Sequence, residues 1–329
     1  MLTYRALLSP QSAALSPWQA DTLFGHLCWL LLYEYGEAYL LDFLAAYRSP
    51  DPRPPLLFSD GFPAGWLPRP LLPLCPTAAR PRLKREQAQA LQDSKEDKRR
   101  RWLSLEDFNA LRRGETPPLS GPGLQLKASR PVLKNQINRL TGGTTALDDA
   151  PGSGNLYSLQ EIRLVESQSA APQELAVYLR AADEAAAARA GEWLKQLSCS
   201  GYGAKKSSGY GQFSLMEFAP FPAFDPPLAS ANGFVSLSNW TPAATDPTQG
   251  YYATLVKYGK LGEELVCTGN PFKFPLTMLK AGSAFYAPDP LRPWYGRLLE
   301  GVAPGAPQVV HYAFAFALPA RLDPQGEVF

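Results

Sequence analysis

The sequence has 329 residues, of which 45% are hydrophobic and 19% are charged, and its formal net charge at pH 7 is +2. This balance is typical of a globular protein that is long enough for two domains. The net charge is too small to indicate nucleic-acid binding by itself, so any polyanion site has to be a local concentration of lysine and arginine.

Metal, redox and membrane functions are not favoured by the sequence. Two histidines, and four cysteines without a Cys-x-x-Cys pair, argue against a zinc site, so we expect no metal and no cofactor. The cysteines are interpreted as reduced core thiols of a cytoplasmic protein. Residues 1–10 lack the features of a signal peptide, and the apolar run at residues 27–33 is too short to cross a bilayer, so we expect no membrane contact.

The first elements of the chain are a strand and a long helix. Residues 2–8 alternate in polarity as in a strand. Ser16 and Gln19 then have capping-box spacing, and leucines recur at helical spacing as far as Tyr35, before the helix stop Gly36. Further elements are predicted at residues 37–47 (helix), 56–58, 157–165 and 175–180 (strands), 183–198 (helix) and 213–218 (strand).

Two stretches between these elements are rich in cations. Residues 80–101 have a local basic excess, which either contact with RNA or a solvated helix or loop explains. Residues 130–145 combine arginine, which makes forked contacts to phosphate, with asparagine, which can read base edges. The following residues, 146–154, are typical either of an exposed finger or of a disordered connection. The candidate RNA-binding residues of the second stretch are Arg130, Lys134, Asn138, Arg139 and Thr141.

The most unusual backbone is predicted at residues 201–213, where two Gly-x-Gly units flank Lys-Lys-Ser-Ser between a helix and a strand. Glycine allows positive φ and close approach to a ligand, and ammonium and hydroxyl groups add donors, so this loop is suited to phosphates. It is not a Walker A loop, because Ala204 precedes the lysines, and a dinucleotide loop would precede a helix. A solvated turn is the alternative. The candidate residues are Gly201, Gly203, Lys205, Lys206, Ser207, Ser208 and Gly209, with Tyr202 and Tyr210 as rings that either stack on bases or pack on the sheet.

The order of elements predicts an α+β fold. With one extra strand, the first half follows the ferredoxin-like or RNA-recognition arrangement, an antiparallel sheet with helices on one face. We therefore predict a first domain at residues 1–219 and a smaller, degenerate sheet domain at residues 220–329. The strands of the second domain are predicted at residues 234–237, 251–258, 283–287 and 309–317.

Four runs of sequence together resemble the RAMP proteins of CRISPR systems. They are residues 20–29 (ADTLFGHLCW), 137–142 (INRLTG), 201–213 (GYGAKKSSGYGQF) and 270–285 (NPFKFPLTMLKAGSAF). The glycine-rich loop alone is typical of RAMP proteins in general. Its combination with the first and last runs is similar, more narrowly, to the fourth subunit of the type III-A Csm effector complex, over residues 2–319.

The resemblance implies two ferredoxin-like folds, the second degenerate, and a subunit without catalytic activity in antiviral defence. It implies that the chain holds the 5′ handle of the CRISPR RNA and docks the large polymerase-like subunit next to the backbone RAMP subunit. On this sequence, the glycine-rich loop would contact the handle, and Arg130, Lys134, Asn138 and Arg139 would line the same groove. The finger would match the thumb that presses on the guide and target RNA duplex near the first guide bases.

Two other functions stay open. A RAMP endoribonuclease that processes precursor CRISPR RNA would need a general base, and only His26 and His311 are available. Both lie in apolar patterns that favour packing over catalysis, and Asp21 is interpreted as a helix-start acid rather than a metal ligand. The remaining alternative is a pure assembly subunit, for which the aromatic residues 272–286 form either an interface or a core.

Overall fold

The computed structural model describes residues 1–48, 50–72, 100–115, 124, 126–137, 142–144, 156–166, 173–224, 228, 230–267, 269–288 and 290–322. The helices within these ranges are α1 (Ala20–Tyr35), α2 (Glu37–Ala45), α3 (Leu105–Arg112) and α4 (Glu184–Ser200). The strands are β1 (Leu2–Pro10), β2 (Leu56–Pro63), β3 (Trp66–Pro68), β4 (Trp102–Ser104), β5 (Leu126–Asn135), β6 (Leu156–Glu166), β7 (Leu175–Ala181), β8 (Phe213–Pro220), β9 (Gly233–Ser236), β10 (Gly250–Tyr251), β11 (Thr254–Lys257), β12 (Leu276–Leu279), β13 (Ala284–Tyr286), β14 (Trp294–Leu299) and β15 (His311–Ala320).

The first sheet has the strand order β2-β7-β1-β8, and every neighbouring pair is antiparallel. The central strand β7 is buried along its whole length, because its apolar side chains are covered on both faces. Asp183 begins α4 as predicted, since its carboxylate accepts a hydrogen bond from the Ala186 N–H (2.7 Å). The chain runs from β1 through α1 to β2, and from β7 through α4 to β8, so the glycine-rich loop joins α4 to β8 as expected.

The second sheet has the order β10-β13-β9-β15-β14 and is also antiparallel. Phe234 of β9 stacks on Tyr295 of β14 with 4.1 Å between ring centroids, and Phe285 of β13 packs beside it. Two-stranded ladders pair β3 with β4, β5 with β6, and β11 with β12. The predicted strand at residues 251–258 is thus two short strands, β10 and β11, which lie in different ladders. The predicted α+β class with antiparallel sheets is confirmed.

Aromatic side chains pack both halves of the chain together around α1. Phe24 of α1 lies 4.8 Å from Tyr312 of β15, and the Tyr312 hydroxyl accepts a hydrogen bond from the Phe58 N–H of β2 (3.1 Å). The strands of the first sheet all precede residue 221, where β8 has ended, and those of the second sheet all follow it. The division into domains at residues 219 and 220 stays a prediction.

Two further expectations concern cysteines and membranes. Cys28 is half-buried, and burial raises the pKa of its thiol to about 12. The interpretation as core thiols is wrong for Cys199 and Cys267, which are exposed, and Cys75 lies outside the described residues. Among the described residues, no helix has the length and apolar character needed to span a membrane.

Candidate nucleic-acid interface

The glycine-rich loop has the backbone that its composition predicts. Gly203 has φ +79°, and a Cβ added there would lie 2.8 Å from Ser16 Cβ. Gly211 has φ +66°, and a Cβ there would lie 1.9 Å from the Tyr202 carbonyl oxygen. Both positions therefore need glycine for two independent reasons, a left-handed backbone and the close approach of another segment.

The loop is fastened to the start of α1. The Gly203 N–H donates to His26 Nε2 (2.8 Å), and the Ala204 N–H donates to Ser16 Oγ (3.1 Å). The predicted capping box at Ser16 and Gln19 is therefore wrong. The helix begins at Ala20 with Gln19 at the N-cap position and no side-chain cap, so Ser16 lies before the helix, and its hydroxyl accepts the bond from the loop instead.

His26 acts as a hydrogen-bond acceptor in this arrangement. Its pKa is lowered to about 4, mainly by burial and also by the charge of Lys206, while Glu263 partly opposes both. The imidazole is therefore neutral at pH 7, with its proton on Nδ1, since Nε2 accepts the bond from the loop. The expectation that His26 is a packed residue is confirmed.

Tyr202 is a structural residue of the loop. Its side chain is only 1% exposed, and its ring stacks on Trp18 at a centroid distance of 4.1 Å. Its hydroxyl donates to the Pro17 carbonyl (2.7 Å) and accepts from the Gln19 N–H (2.8 Å). Of the two alternatives for Tyr202, the structure shows packing inside the protein rather than an exposed ring for base stacking, because both the ring and the hydroxyl have internal partners.

The two lysines of the loop have different surroundings. Lys205 is exposed, and its Nζ lies 3.3 Å from the Tyr157 hydroxyl and 4.8 Å from the centre of that ring. Lys206 begins a short turn of 3-10 helix (Lys206–Ser208), and its Nζ lies 2.6 Å from Glu263 Oε1. Only the first lysine is thus open to solvent. The other predicted donors of the loop, Ser207 and Ser208, are exposed, as is Gly209.

The ladder of β5 and β6 lies against the loop. Lys134 of β5 is directly opposite Tyr157 of β6, and its Nζ is 5.9 Å from the centre of the Tyr210 ring. The Tyr210 hydroxyl donates to Glu161 Oε1 (3.1 Å). Lysines and tyrosines therefore alternate across one surface, which we call the cation–tyrosine surface and define as Lys134, Tyr157, Lys205 and Tyr210.

The structure brings together only part of the predicted site. Arg130 lies on the same ladder, but its guanidinium pairs with Glu161 (3.3 Å). Asn138, Arg139 and Thr141 lie outside the described residues, as do the finger at residues 146–154 and most of residues 80–101, where only Arg100 and Arg101 are described.

Sequence reasoning missed three residues of the site. The sequence places Tyr157 and Glu161 only in a predicted strand. Their position beside the lysines depends on the register of that strand with β5. Glu263 belongs to a separate turn of 3-10 helix (Glu263–Cys267) in the second half of the chain. No local pattern connects it to the loop.

A buried charge cluster lies at the base of α1. Asp21, in the first turn as predicted, forms an ion pair with Lys257 of β11 and a hydrogen bond with His311 Nε2 of β15 (3.2 Å). Burial raises the pKa of Asp21, but the His311 hydrogen bond and the Lys257 charge outweigh it and hold that pKa well below its usual range. Within the described ranges, no group of His, Cys, Asp and Glu side chains is arranged to hold a metal ion.

Comparison with known proteins gives a structural likeness only. No family model matches the sequence, and no curated protein matches it. A chain in the crystal structure of a Csm1-Csm4 cassette in complex with pppApA superposes with a TM-score of 0.58 at 17% identity, covering 98% of this chain and 99% of that chain. A chain of the Csm3-Csm4 subcomplex in the type III-A CRISPR-Cas interference complex superposes with a TM-score of 0.61 at 14% identity, covering 97% and 99%. Csm4 is the component common to both assemblies, so the resemblance drawn from the sequence is confirmed at the level of the fold over nearly the whole chain.

Proposed function

We propose that this chain is the RNA-binding subunit of a type III-A CRISPR interference complex in the cytoplasm. It holds the 5′ handle of the CRISPR RNA, docks the large polymerase-like subunit next to the backbone RAMP subunit, and contacts target RNA near the 5′ end of the guide. It breaks no bonds itself. Each of its two sheets is the core of a ferredoxin-like unit, the second one degenerate.

The observation that carries this proposal is the cation–tyrosine surface in a chain with the fold of Csm4. Single-stranded RNA is bound by ammonium groups that contact phosphates and by aromatic rings on which bases stack. Lys205 and Lys134 supply the cations, and Tyr157, which is 40% exposed, supplies a ring. The glycine-rich loop and the β5 and β6 ladder thus supply complementary parts of one RNA site.

The test is to purify the complex containing the full chain and to map the RNA that it protects. We expect a uniform protected 5′ handle, which Lys205→Ala combined with Lys206→Ala removes. Arg189→Ala combined with Lys195→Ala, at two exposed positions of α4, serves as a control for the loss of two positive charges. Each lysine that contacts a phosphate should also contribute about 0.7 to the slope of log affinity against log salt concentration. Unchanged protection and an unchanged slope in the double variant would overturn the proposal.

The alternative is an endoribonuclease that uses His26 as a general base. The hydrogen bond that His26 Nε2 accepts from Gly203 disfavours this role, since the lone pair is already engaged. His311 is buried against Asp21. Cleavage of a precursor RNA by the isolated chain, abolished by His26→Ala, would establish the nuclease instead.

Exposed aromatic side chains favour protein contacts in addition to RNA binding. Phe272 and Phe274 are 58% and 51% exposed, and Tyr258 is 76% exposed. Residues 272–286 thus belong to the core only in part. Met278 and Phe285 are buried, whereas Phe272 and Phe274 are exposed. Replacing Phe272 and Phe274 by serine should release a partner subunit during copurification while RNA binding by the chain is retained. If all subunits stay bound, these rings are no interface.

A further inference from the structure

The second lysine of the glycine-rich loop already has an anion as its partner. Lys206 Nζ lies 2.6 Å from Glu263 Oε1, and both side chains are about three-quarters buried, with 25% and 27% exposure. Lys205, the preceding residue, is exposed instead. If the loop binds RNA phosphates, as proposed above, the position next to Lys206 is occupied by a carboxylate before RNA arrives.

Backbone geometry indicates that this pairing is built into the fold. Among the described residues, only Lys205 (φ +55°) and Glu263 (φ +48°) have positive φ without being glycine. A left-handed backbone is unfavourable for such residues and persists where the surrounding structure imposes it. One of these residues precedes Lys206, and the other is its partner. Of the two non-glycine residues with positive φ in the described chain, one is therefore adjacent to this ion pair and the other is part of it.

The two residues before Glu263 are packed against other parts of the protein. The preceding residue, Gly262, lies beside α1, since a Cβ there would be in van der Waals contact with Trp29 Nε1 (3.4 Å). Leu261 is buried, and its N–H donates to the Pro271 carbonyl (2.7 Å). The segment directly before Glu263 is thus anchored, and the carboxylate reaches the loop from the second half of the chain.

We propose that Glu263 is an internal competitor of RNA, a carboxylate that occupies the place of an RNA phosphate on Lys206 and has to be displaced when RNA binds. The proposal rests on the proposed function. An ammonium group donates hydrogen bonds equally well to a carboxylate or to a phosphate, and a partly exposed ion pair is weak enough to be exchanged. A polyanion that reaches only Lys205 leaves Glu263 in place, whereas an RNA that follows the whole loop displaces it. Because the ion pair between Lys206 and Glu263 has to be broken, Glu263 lowers the affinity for RNA that reaches Lys206, whereas binding of an anion to Lys205 alone breaks no ion pair.

The matched control is the neighbouring carboxylate, Glu264. The pKa of the Tyr33 hydroxyl is raised by partial burial and by the negative charges of Glu263 and Glu264. Both carboxylates therefore act on the same part of the surface. Glu264 is exposed, and its replacement by glutamine removes the same charge. The difference between the two glutamine variants therefore reports the loss of the ion pair with Lys206, separated from the general loss of negative charge.

The experiment measures binding of a fluorescein-labelled single-stranded RNA of 12 adenosines to the full chain by anisotropy. We expect Glu263→Gln to bind about fivefold more tightly than Glu264→Gln. Combining either variant with Lys206→Ala should abolish this difference. Equal affinities of the two glutamine variants, or a difference that survives Lys206→Ala, would overturn the inference.

The outcome for Lys205→Ala separates this inference from the proposed function. If Lys205→Ala weakens binding but Glu263→Gln matches Glu264→Gln, the loop binds RNA and only the exchange at Lys206 is wrong. If Lys205→Ala leaves the affinity unchanged, RNA does not use the loop, and both the proposed function and the exchange are wrong.

Discussion

Replacing Gly203 by alanine tests whether the loop is rigidly packed on the start of α1. The backbone there has φ +79°, which costs a residue with a Cβ about 1–2 kcal/mol. The new Cβ would also lie 2.8 Å from Ser16 Cβ, an atom that no side-chain rotation can move away. Overpacking of this kind costs about 1–3 kcal/mol. Gly203→Ala should therefore lower the free energy of unfolding by about 2–5 kcal/mol.

Gly209 in the same loop provides the control. Its φ is +83°, but no atom lies within 4 Å of an added Cβ. Gly209→Ala should thus show the backbone cost alone, about 1–2 kcal/mol. Chemical denaturation of both variants at pH 7 gives the comparison, and RNA affinity measured on the folded protein shows whether the lysines are displaced. Equal losses for the two variants would refute the packing of the loop against Ser16.

Three other predictions address charge and stacking. Because the pKa of His26 is lowered from 6.5 to about 4, its contribution to stability is present above pH 6.5 and is lost as the pH falls. Lowering the pH from 7 to 5 should therefore lower the free energy of unfolding of the wild type by about 2 kcal/mol more than that of His26→Gln. The comparison with this variant is needed because burial raises the pKa of Asp60 to about 7, so Asp60 titrates in the same range. Lys257→Met should lower the free energy of unfolding by about 3 kcal/mol, since Asp21 loses its ion pair with a lysine, and an unchanged denaturation midpoint would contradict this. Tyr157→Leu should weaken RNA binding by about 1–3 kcal/mol, while Tyr157→Phe retains it, and an RNA with an abasic site at the stacked nucleotide should remove the difference.

Local features of the site could be predicted from the sequence because their causes are local. Gly203 and Gly211 are required by the backbone of their own loop, and the lysines between them can be read directly from the sequence. The helix and strand on either side also have clear periodicity. These features place a donor-rich loop between two regular elements without knowledge of any distant contact.

The remaining features depend on pairs that are distant in the sequence. Ser16 has the spacing of a helix cap, but its hydroxyl accepts a hydrogen bond from Ala204, 188 positions away. Tyr202 has an aromatic ring that could stack on a base, but the ring stacks on Trp18 inside the protein. In both cases a tertiary partner takes the group that local reasoning had assigned to the helix or to RNA. Single-sequence patterns contain no information on such competition.

The start of α1 connects the candidate RNA site to the second half of the chain. Lys257 of β11 binds the first turn through Gln19 Oε1 (2.8 Å), Thr22 Oγ1 (3.1 Å) and the Asp21 carboxylate. One turn further along, His26 accepts the hydrogen bond from the loop at Gly203. Because a helix transmits displacement of one turn to the next as a rigid unit, a shift of β11 relative to α1 has to move the acceptor of the loop as well. The two halves of the chain therefore meet at α1, and both the exchange of an anion at the loop and the packing of the β11 and β12 ladder act on this helix.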